Sequence, residues 1–342
     1  MDINELKTRI KSSHLDGCYV FAGEEDYLKQ YYLSSIRGAL VDDPTLAAFN
    51  HAVFEGAEIN FVAVQDAIKA PPMFADYKLI EWRYPVFTKM KESDLKLFED
   101  TLDLLSEYSY ATLAIIVSDG DLDLGTAKKE SRFVKRFKER LNLFNFPKST
   151  DAQLLSWLKK HFDAYSVNVS AKTLGELIFR SGHSMSVLKN EVDKLAYCVI
   201  SRGGDTVTEE LVREVASTTP ECDTFALSNA IIERNKAGAY LALEEMKSNR
   251  LDPILIIGML ERSYSELVHV LMLSAEGFGS ADISTKTGIN AYRVKLYLAS
   301  ASRFSKERAA RILEELLRVD AGAKFGGIVG YTAIEIFIGK CV

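Results

Sequence analysis

Residues 18–30 read Cys18-Tyr19-Val20-Phe21-Ala22-Gly23-Glu24-Glu25-Asp26-Tyr27-Leu28-Lys29-Gln30. An apolar run ends at Gly23 and leads into helical spacing, which is the strand–loop–helix frame that holds phosphates in nucleotide-binding proteins. Gly23 and Lys29 fit the pattern GxxxxGK[ST], but Leu28 replaces its second glycine and Gln30 replaces the hydroxyl residue that ligates magnesium. Three carboxylates at 24–26 lie where the loop would receive an anion. The stretch predicts a nucleotide fold that has lost its nucleotide, or an ordinary strand–helix turn with an acidic first helical turn; neither binds ATP.

Short apolar runs alternate with helical or loop sequence through residues 1–147. The predicted strands are Cys18–Gly23, His51–Gly56, Lys78–Phe87, Thr112–Ser118 and Leu141–Phe146. Such alternation is typical of a mostly parallel sheet that is covered by helices on both faces. The run within Thr112–Ser118 is the most continuous, so we expect a central strand there.

After Pro147 the strand pattern ends and helical patterns continue to the end of the chain. Thr150 and Gln153 form a capping-box sequence, Thr208 is placed to cap a short helix, and Asp252 precedes a long helix that begins with a proline. Thr218-Thr219-Pro220 is a plausible boundary between two helical regions. The sequence therefore predicts an α/β module followed by all-α domains.

The composition is that of a soluble globular protein, with 342 residues, 47% hydrophobic, 26% charged and a net charge of −6. The N-terminus does not resemble a signal peptide, and no apolar run is long enough to span a bilayer, so we expect a cytoplasmic protein without membrane contact. The four cysteines are scattered, which indicates small buried residues in a reducing compartment and neither disulfides nor a zinc site. The negative charge argues against strong autonomous DNA binding.

Two charged segments have a functional and a structural interpretation. Asp119, Asp121, Asp123 and Glu130 have part of the spacing of a calcium loop, but the glycine is one residue late, at Gly125, which favours an acidic loop after a strand. Lys128–Arg140 carries seven cations around an apolar stripe. This basic helix could face phosphate or a partner, although a solvated helix face explains it as well. No metal or catalytic site is predicted.

A third segment, Thr287–Lys295, has a glycine at Gly288 and resembles the corner of a helix-turn-helix. A recognition helix there would direct Tyr292, Arg293 and Lys295 outward. Two cations make a small set of DNA contacts, so helix packing is the simpler interpretation.

Met73 and Phe74 follow two prolines in the segment Ala70–Asp76, between a predicted helix and a predicted strand. The prolines stiffen the backbone and so determine where the two side chains point. They could pack under the edge of the sheet, or they could form a protein-binding tip, since large adjacent apolar residues in a loop are typical of interface anchors.

The order of these features resembles that of the delta subunits of bacterial DNA polymerase III, the clamp-loader subunits that open the sliding clamp. The resemblance runs from end to end and rests on Tyr19–Leu28, Asp223–Ile231, Asp252–Leu255 with Arg262, and Gly288–Lys295 with Phe304-Ser305. It implies an AAA+-like parallel-sheet module without a working phosphate loop (1–147), a small helical lid domain (148–217) and a helical collar domain (218–342). Gly182-His183-Ser184 departs from the Gly-Asp of many family members, which puts a sensor-like role in doubt.

The resemblance also implies the function. Met73 and Phe74 fall at the apolar pair that enters a pocket on the clamp, and Met in place of Leu is a volume-conserving change. The protein would bind and open the clamp (beta subunit) without hydrolysing ATP, with no cofactor, as a non-catalytic subunit of a DNA-directed DNA polymerase. Its other partners would be the gamma/tau and delta-prime type subunits and primer-template DNA. The alternatives are a stand-alone DNA-binding regulator that uses the Gly288 corner and the Lys128–Arg140 helix, or a nucleotide hydrolase, which Leu28 and Gln30 argue against.

Overall fold

The computed structural model describes residues 3–41, 45–57, 59–126, 129–301 and 304–342. Contacts divide the chain into two units, Met1–Ser149 and Thr150–Val342. The predicted further boundary at residue 217, inside the second unit, stays a prediction.

The first unit alternates strands and helices, as the apolar runs predicted. Its helices are α1 Ile3–Lys11, α2 Asp26–Leu40, α3 Ala47–Asn50, α4 Phe61–Lys69, α5 Glu92–Glu107 and α6 Arg132–Phe137, with a 3-10 turn at Phe87–Lys89. Its strands are β1 Gly17–Ala22, β2 His51–Glu55, β3 Lys78–Arg83, β4 Ala111–Ile116, β5 Gly125–Thr126, β6 Lys129–Glu130 and β7 Leu141–Asn145.

Five of these strands form one parallel sheet in the order β2-β3-β4-β1-β7. Alternate residues of β1 enter different cores: Val20 packs with residues of α4 and α5, whereas Tyr19 and Phe21 pack with residues of α1 and α2. Burial on both faces explains why the strands read as continuous apolar runs. All six residues of β4 are buried, which confirms the predicted central strand.

Two predicted elements of this unit were too long. The third strand ends at Arg83 rather than at residue 87, because Tyr84 takes a left-handed backbone conformation (φ 61°) and Pro85 follows it. The basic helix is only α6, since Lys129 and Glu130 instead form β6, which pairs with β5 as a small antiparallel hairpin. Lys128 lies outside the described residues.

The second unit is mainly helical. Its helices are α7 Asp151–Ala164, α8 Ala171–Ser181, α9 Met185–Ser201, α10 Glu209–Val215, α11 Pro220–Ile232, α12 Lys236–Ser248, α13 Pro253–Ala275, α14 Ser280–Thr287, α15 Ala291–Ala301, α16 Lys306–Phe325 and α17 Tyr331–Cys341. The predicted caps are confirmed: the side chains of Thr150, Thr208 and Asp252 each accept a hydrogen bond from the first turn of the helix that follows.

The expectation that strands end at residue 147 was wrong in one detail. β8 (Asn168–Val169) and β9 (Thr206–Val207) form a two-residue parallel pair, too short to leave a recognisable pattern in sequence. One apolar core joins α11 to α17 and includes Phe225, Leu260 and Phe337. Cys198 and Cys341 are only half-buried, whereas Cys18 and Cys222 are buried as expected, and all four are free.

Candidate functional site

The loop between β1 and α2 folds tightly against the end of β7. Gly23 takes a left-handed conformation (φ 102°), and a Cβ at this position would collide with the carbonyl oxygen of Phe146. The amide of Glu25 donates a hydrogen bond of 3.0 Å to the same carbonyl. Glycine is therefore required here by packing within the protein. Burial of the Glu25 side chain raises the pKa of its carboxyl.

Lys29 is fully buried and points back into this loop. Its ammonium donates hydrogen bonds of 2.7 Å to the carbonyl of Gly23 and 2.8 Å to the carbonyl of Val117, and it lies 2.8 Å from a carboxylate oxygen of Asp26. The group that would contact a phosphate in a working loop is thus bound to the protein's own oxygens. It joins the end of β1 to the end of β4.

The other two departures from the phosphate-loop pattern also have structural roles. Leu28 is half-buried against the core between the sheet and α2. The side-chain amide of Gln30 donates a hydrogen bond of 3.1 Å to the hydroxyl of Tyr84. Neither side chain supplies the close backbone approach or the metal-ligating hydroxyl that the pattern requires.

A cleft of about 440 Å³ opens beside this loop, at the carboxyl ends of the strands. Its lining includes Glu24, Asp119 and Asp123, so its rim disfavours an anion. Among the described residues, no group of histidine, cysteine, aspartate and glutamate side chains is arranged to hold a metal ion. The acidic segment lies between β4 and β5, where Asp123 accepts a hydrogen bond of 2.8 Å from the amide of Gly125, so it is a loop after a strand, as the structural interpretation predicted.

The loop between α4 and β3 carries Met73 and Phe74, and both are exposed. Met73 is 42% exposed and Phe74 is 82% exposed. The expectation that they pack under the edge of the sheet is therefore wrong for the unbound protein. We call residues 70–77 the apolar tip.

The backbone of the apolar tip is attached to the module by Asn50. The amide of Met73 donates to Oδ1 of Asn50 at 2.7 Å, and Nδ2 of Asn50 donates to the carbonyl of Met73 at 2.8 Å. At the base of the tip, Nζ of Lys78 donates to the carbonyl of Ala70 at 3.4 Å. Asn50 was not predicted as a functional residue, because its partner lies in another loop and no short motif marks the pair.

His51, next to Asn50, belongs to a cluster of charged residues around Glu81 that was also not predicted from the sequence. His51 Nε2 lies 2.9 Å from Glu81 Oε1, and Glu81 also pairs with Arg37 at 2.7 Å and with Arg83 at 2.6 Å. Glu81 is fully buried within β3. Burial would raise the pKa of Glu81, but hydrogen bonds from His51, Arg83 and Arg37 outweigh it and lower the pKa to about 2.

Four cations of the basic segment pair with acidic residues on α5 and β6. Arg136 contacts Glu92 and Glu99, and the other described pairs are Arg132–Glu92, Arg140–Asp103, Arg140–Glu99 and Lys138–Glu130, at distances from 2.5 to 3.7 Å. This pairing favours the interpretation of an ion-paired helix face over a phosphate-binding surface.

The Gly288 corner is a real turn between α14 and α15, with Gly288 in a left-handed conformation (φ 71°). Two of the side chains that a recognition helix would direct outward, Tyr292 and Arg293, instead contact other helices. The hydroxyl of Tyr292 donates to the carboxylate of Glu176, and Arg293 lies 3.1 Å from Glu266. Of the three residues that a recognition helix would direct outward, only Lys295 is exposed. The corner therefore serves packing.

A parallel sheet with helices on both faces, followed by a mainly helical unit, is the fold class that the sequence predicted. The family model described as "DNA polymerase III, delta subunit" matches residues 19–147, and the model described as "DNA polymerase III delta subunit, C-terminal domain" matches residues 221–341. Together they span well over half of the chain. The chain belongs to the family of DNA polymerase III delta subunits, as the resemblance of its motifs indicated.

A relative of similar length agrees with this assignment. The DNA polymerase III subunit delta of Bacillus subtilis (strain 168) is 24% identical over 345 residues, covering 96% of this chain and 94% of the relative. Among solved structures, the Bacillus subtilis DNA clamp loader delta protein has a TM-score of 0.58 at 19% identity and covers 99% of both chains. That structure supports the fold. No helix of the described residues combines the length and apolar character needed to cross a bilayer.

Proposed function

We propose that this delta-family chain binds the sliding clamp through Met73 and Phe74, and that it opens the ring without hydrolysing ATP. The observation that carries the proposal is the apolar tip. Two adjacent large apolar side chains face solvent on a backbone that is attached to a buried residue. Exposed apolar side chains contribute no burial energy to the free protein, whereas their burial in a partner's pocket stabilises a complex.

The proposed mechanism uses binding energy. A clamp ring has closed and open states, and a partner shifts their balance only by binding the open state more tightly. Met73 and Phe74 would anchor the subunit, and neighbouring surface of the module would favour the open ring interface.

The absence of ATP hydrolysis is supported by the phosphate-loop region. The ammonium of Lys29 is bound by Gly23, Val117 and Asp26, and the adjoining cleft is lined by carboxylates. ATP-binding subunits of the gamma/tau type would then supply the nucleotide-driven step and would expose or hide the tip.

The remaining assignments follow from membership of a loader. We propose residues 1–147 as the clamp-interacting module, 148–217 as the lid and 218–342 as the collar that assembles with gamma/tau and delta-prime type subunits. The assembled loader, in the cytoplasm, would bind primer-template DNA. A stand-alone DNA-binding function has less support, because Tyr292 and Arg293 are used in packing.

The test is the affinity of the full chain for the clamp of the same organism. Burying each anchor contributes about 1.5–3 kcal/mol, so Met73→Ala with Phe74→Ala should weaken binding by about two to four decades if the contributions add. The melting temperature should hardly change, since both side chains are exposed. Phe325→Ala is the matched control, because Phe325 is 88% exposed in the other unit. An unchanged affinity in the double variant would refute the anchor.

A further inference from the structure

Asn50 is a buried polar residue whose side-chain carboxamide forms two hydrogen bonds with the apolar tip. It is 1% exposed, and its oxygen and nitrogen bind the amide and the carbonyl of Met73 at 2.7 and 2.8 Å. A carboxamide offers one acceptor and a donor side by side, so it can pair with both polar groups of one residue as a neighbouring strand would. The pairing holds the backbone of Met73 and leaves its side chain free.

Asn50 is itself held by the sheet. Its amide donates to the carbonyl of Leu46 at 3.1 Å at the end of α3, and β2 begins at the next residue, His51. His51 pairs with the buried carboxylate of Glu81, which also binds two arginines. The two hydrogen bonds between Asn50 and Met73, which we call the bracket, therefore connect the tip to the start of β2, next to the Glu81 cluster.

The tip needs such a connection because its own conformation is unfavourable. Phe74 lies in the left-handed region (φ 53°), which is costly for a residue with a Cβ. With 82% of its side chain exposed, Phe74 has little packing to offset that cost. A loop without the bracket would sample other backbone conformations and would turn Met73 and Phe74 in several directions.

We propose that Asn50 is a positioning residue for the clamp contact: it holds the backbone of Met73 so that Met73 and Phe74 are presented together before the partner arrives. This inference rests on the proposed function. Ordering the tip in the folded protein removes an entropy cost that binding would otherwise meet, so the bracket raises affinity without touching the partner.

The experiment measures clamp affinity of full-length Asn50→Ala, Phe74→Ala and the variant that combines both. In the chain that keeps Met73 and Phe74, Asn50→Ala should weaken clamp binding about tenfold. In the Phe74→Ala background the same substitution should weaken clamp binding much less, because there is no Phe74 ring left to position. A residue that only stabilises the fold would show equal effects in both backgrounds.

Asn60→Ala is the matched control. Asn60 accepts a hydrogen bond of 3.1 Å from the amide of Ala63 as the cap of α4, so its removal also costs the module an asparagine hydrogen bond. Clamp affinity should not change. Asn50→Ser, which keeps one polar group, serves as the second variant if Asn50→Ala does not fold.

Hydrogen exchange of the Met73 amide gives a readout that does not need the clamp. The amide should be protected in the native chain and should exchange much faster in Asn50→Ala. If Asn50→Ala is folded and binds the clamp as tightly as the native chain, while the Met73 and Phe74 double variant does not, the positioning role is refuted and the anchor stands. If the double variant also binds normally, the proposed function fails, and the positioning role fails with it.

Discussion

The ammonium of Lys29 lies 2.8 Å from the carbonyl oxygen of Val117, across 88 residues of sequence. Lys29 occupies the lysine position of a phosphate-loop pattern, yet its contacts are to the protein's own oxygens. The contact joins α2 to the end of the central strand β4. A residue type associated with nucleotide binding has here become part of the core of the module.

Replacing Lys29 with methionine should therefore destabilise the protein. Methionine keeps an unbranched apolar chain but leaves the carbonyls of Gly23 and Val117 without a charged donor, which costs about 3 kcal/mol. Thermal and urea unfolding measure the change, and Lys96→Met, on the exposed face of α5, is the matched control. A stability equal to that of the control would show that the buried ammonium does not hold these strands together.

The isolated native chain should not bind Mg-ATP or ADP with a Kd below about 1 mM, which corresponds to about −4 kcal/mol. The reason is that Lys29 is occupied and that Glu24, Asp119 and Asp123 line the adjoining cleft. Titration calorimetry measures this directly. A working ATP-binding subunit is the positive control, and tighter binding by this chain would overturn our interpretation of the loop.

The sequence predicted the five parallel strands and the helix caps, because both leave local signals. Buried strands such as β4 are continuous apolar runs, and a cap such as Thr150 is a polar residue at a fixed distance from the helix. The direction of Lys29 and the partner of Asn50 depend on contacts between distant segments, for which spacing carries no information. The partner of Tyr292 is likewise distant: Glu176 lies 116 residues away, so this hydrogen bond could not be predicted from the sequence.

The Glu81 cluster predicts how stability depends on pH. The pKa of Glu81 is lowered from 4.5 to about 2 in the folded protein, so the unfolded state binds its proton first as the pH falls. Its contribution to the free energy of unfolding is fully present above about pH 4.5 and is lost as the pH falls towards 2; it amounts to about 3 kcal/mol.

Glu81→Gln should therefore be less stable than the native chain at pH 7, and the difference should shrink between pH 4.5 and 2. Urea unfolding at a series of pH values measures both curves. Glu107→Gln, an exposed glutamate on α5, should follow the native curve. A constant difference between native and Glu81→Gln across this range would mean that Glu81 is not held ionised by its partners.

Two substitutions of Phe74 separate the contribution of its ring to clamp binding from the cost of its left-handed backbone conformation. Phe74→Gly and Phe74→Ala remove the same ring, and we expect both to lose most of the clamp affinity that Phe74 supplies. They differ in the backbone, because glycine accepts φ 53° freely while alanine keeps the cost of a Cβ.

Phe74→Gly should consequently be more stable than Phe74→Ala by about 0.5–1 kcal/mol, after allowance for the greater freedom of glycine in the unfolded chain. It should also be no worse than the native protein, since the ring is exposed. Unfolding by urea and clamp affinity are measured on the same preparations. If Phe74→Gly were the less stable variant, the left-handed conformation would not be a source of strain, and one reason for the Asn50 bracket would disappear. A Phe74→Gly variant that is more stable than the native chain but has lost clamp affinity would show that Phe74 serves clamp binding at the expense of the stability of the protein.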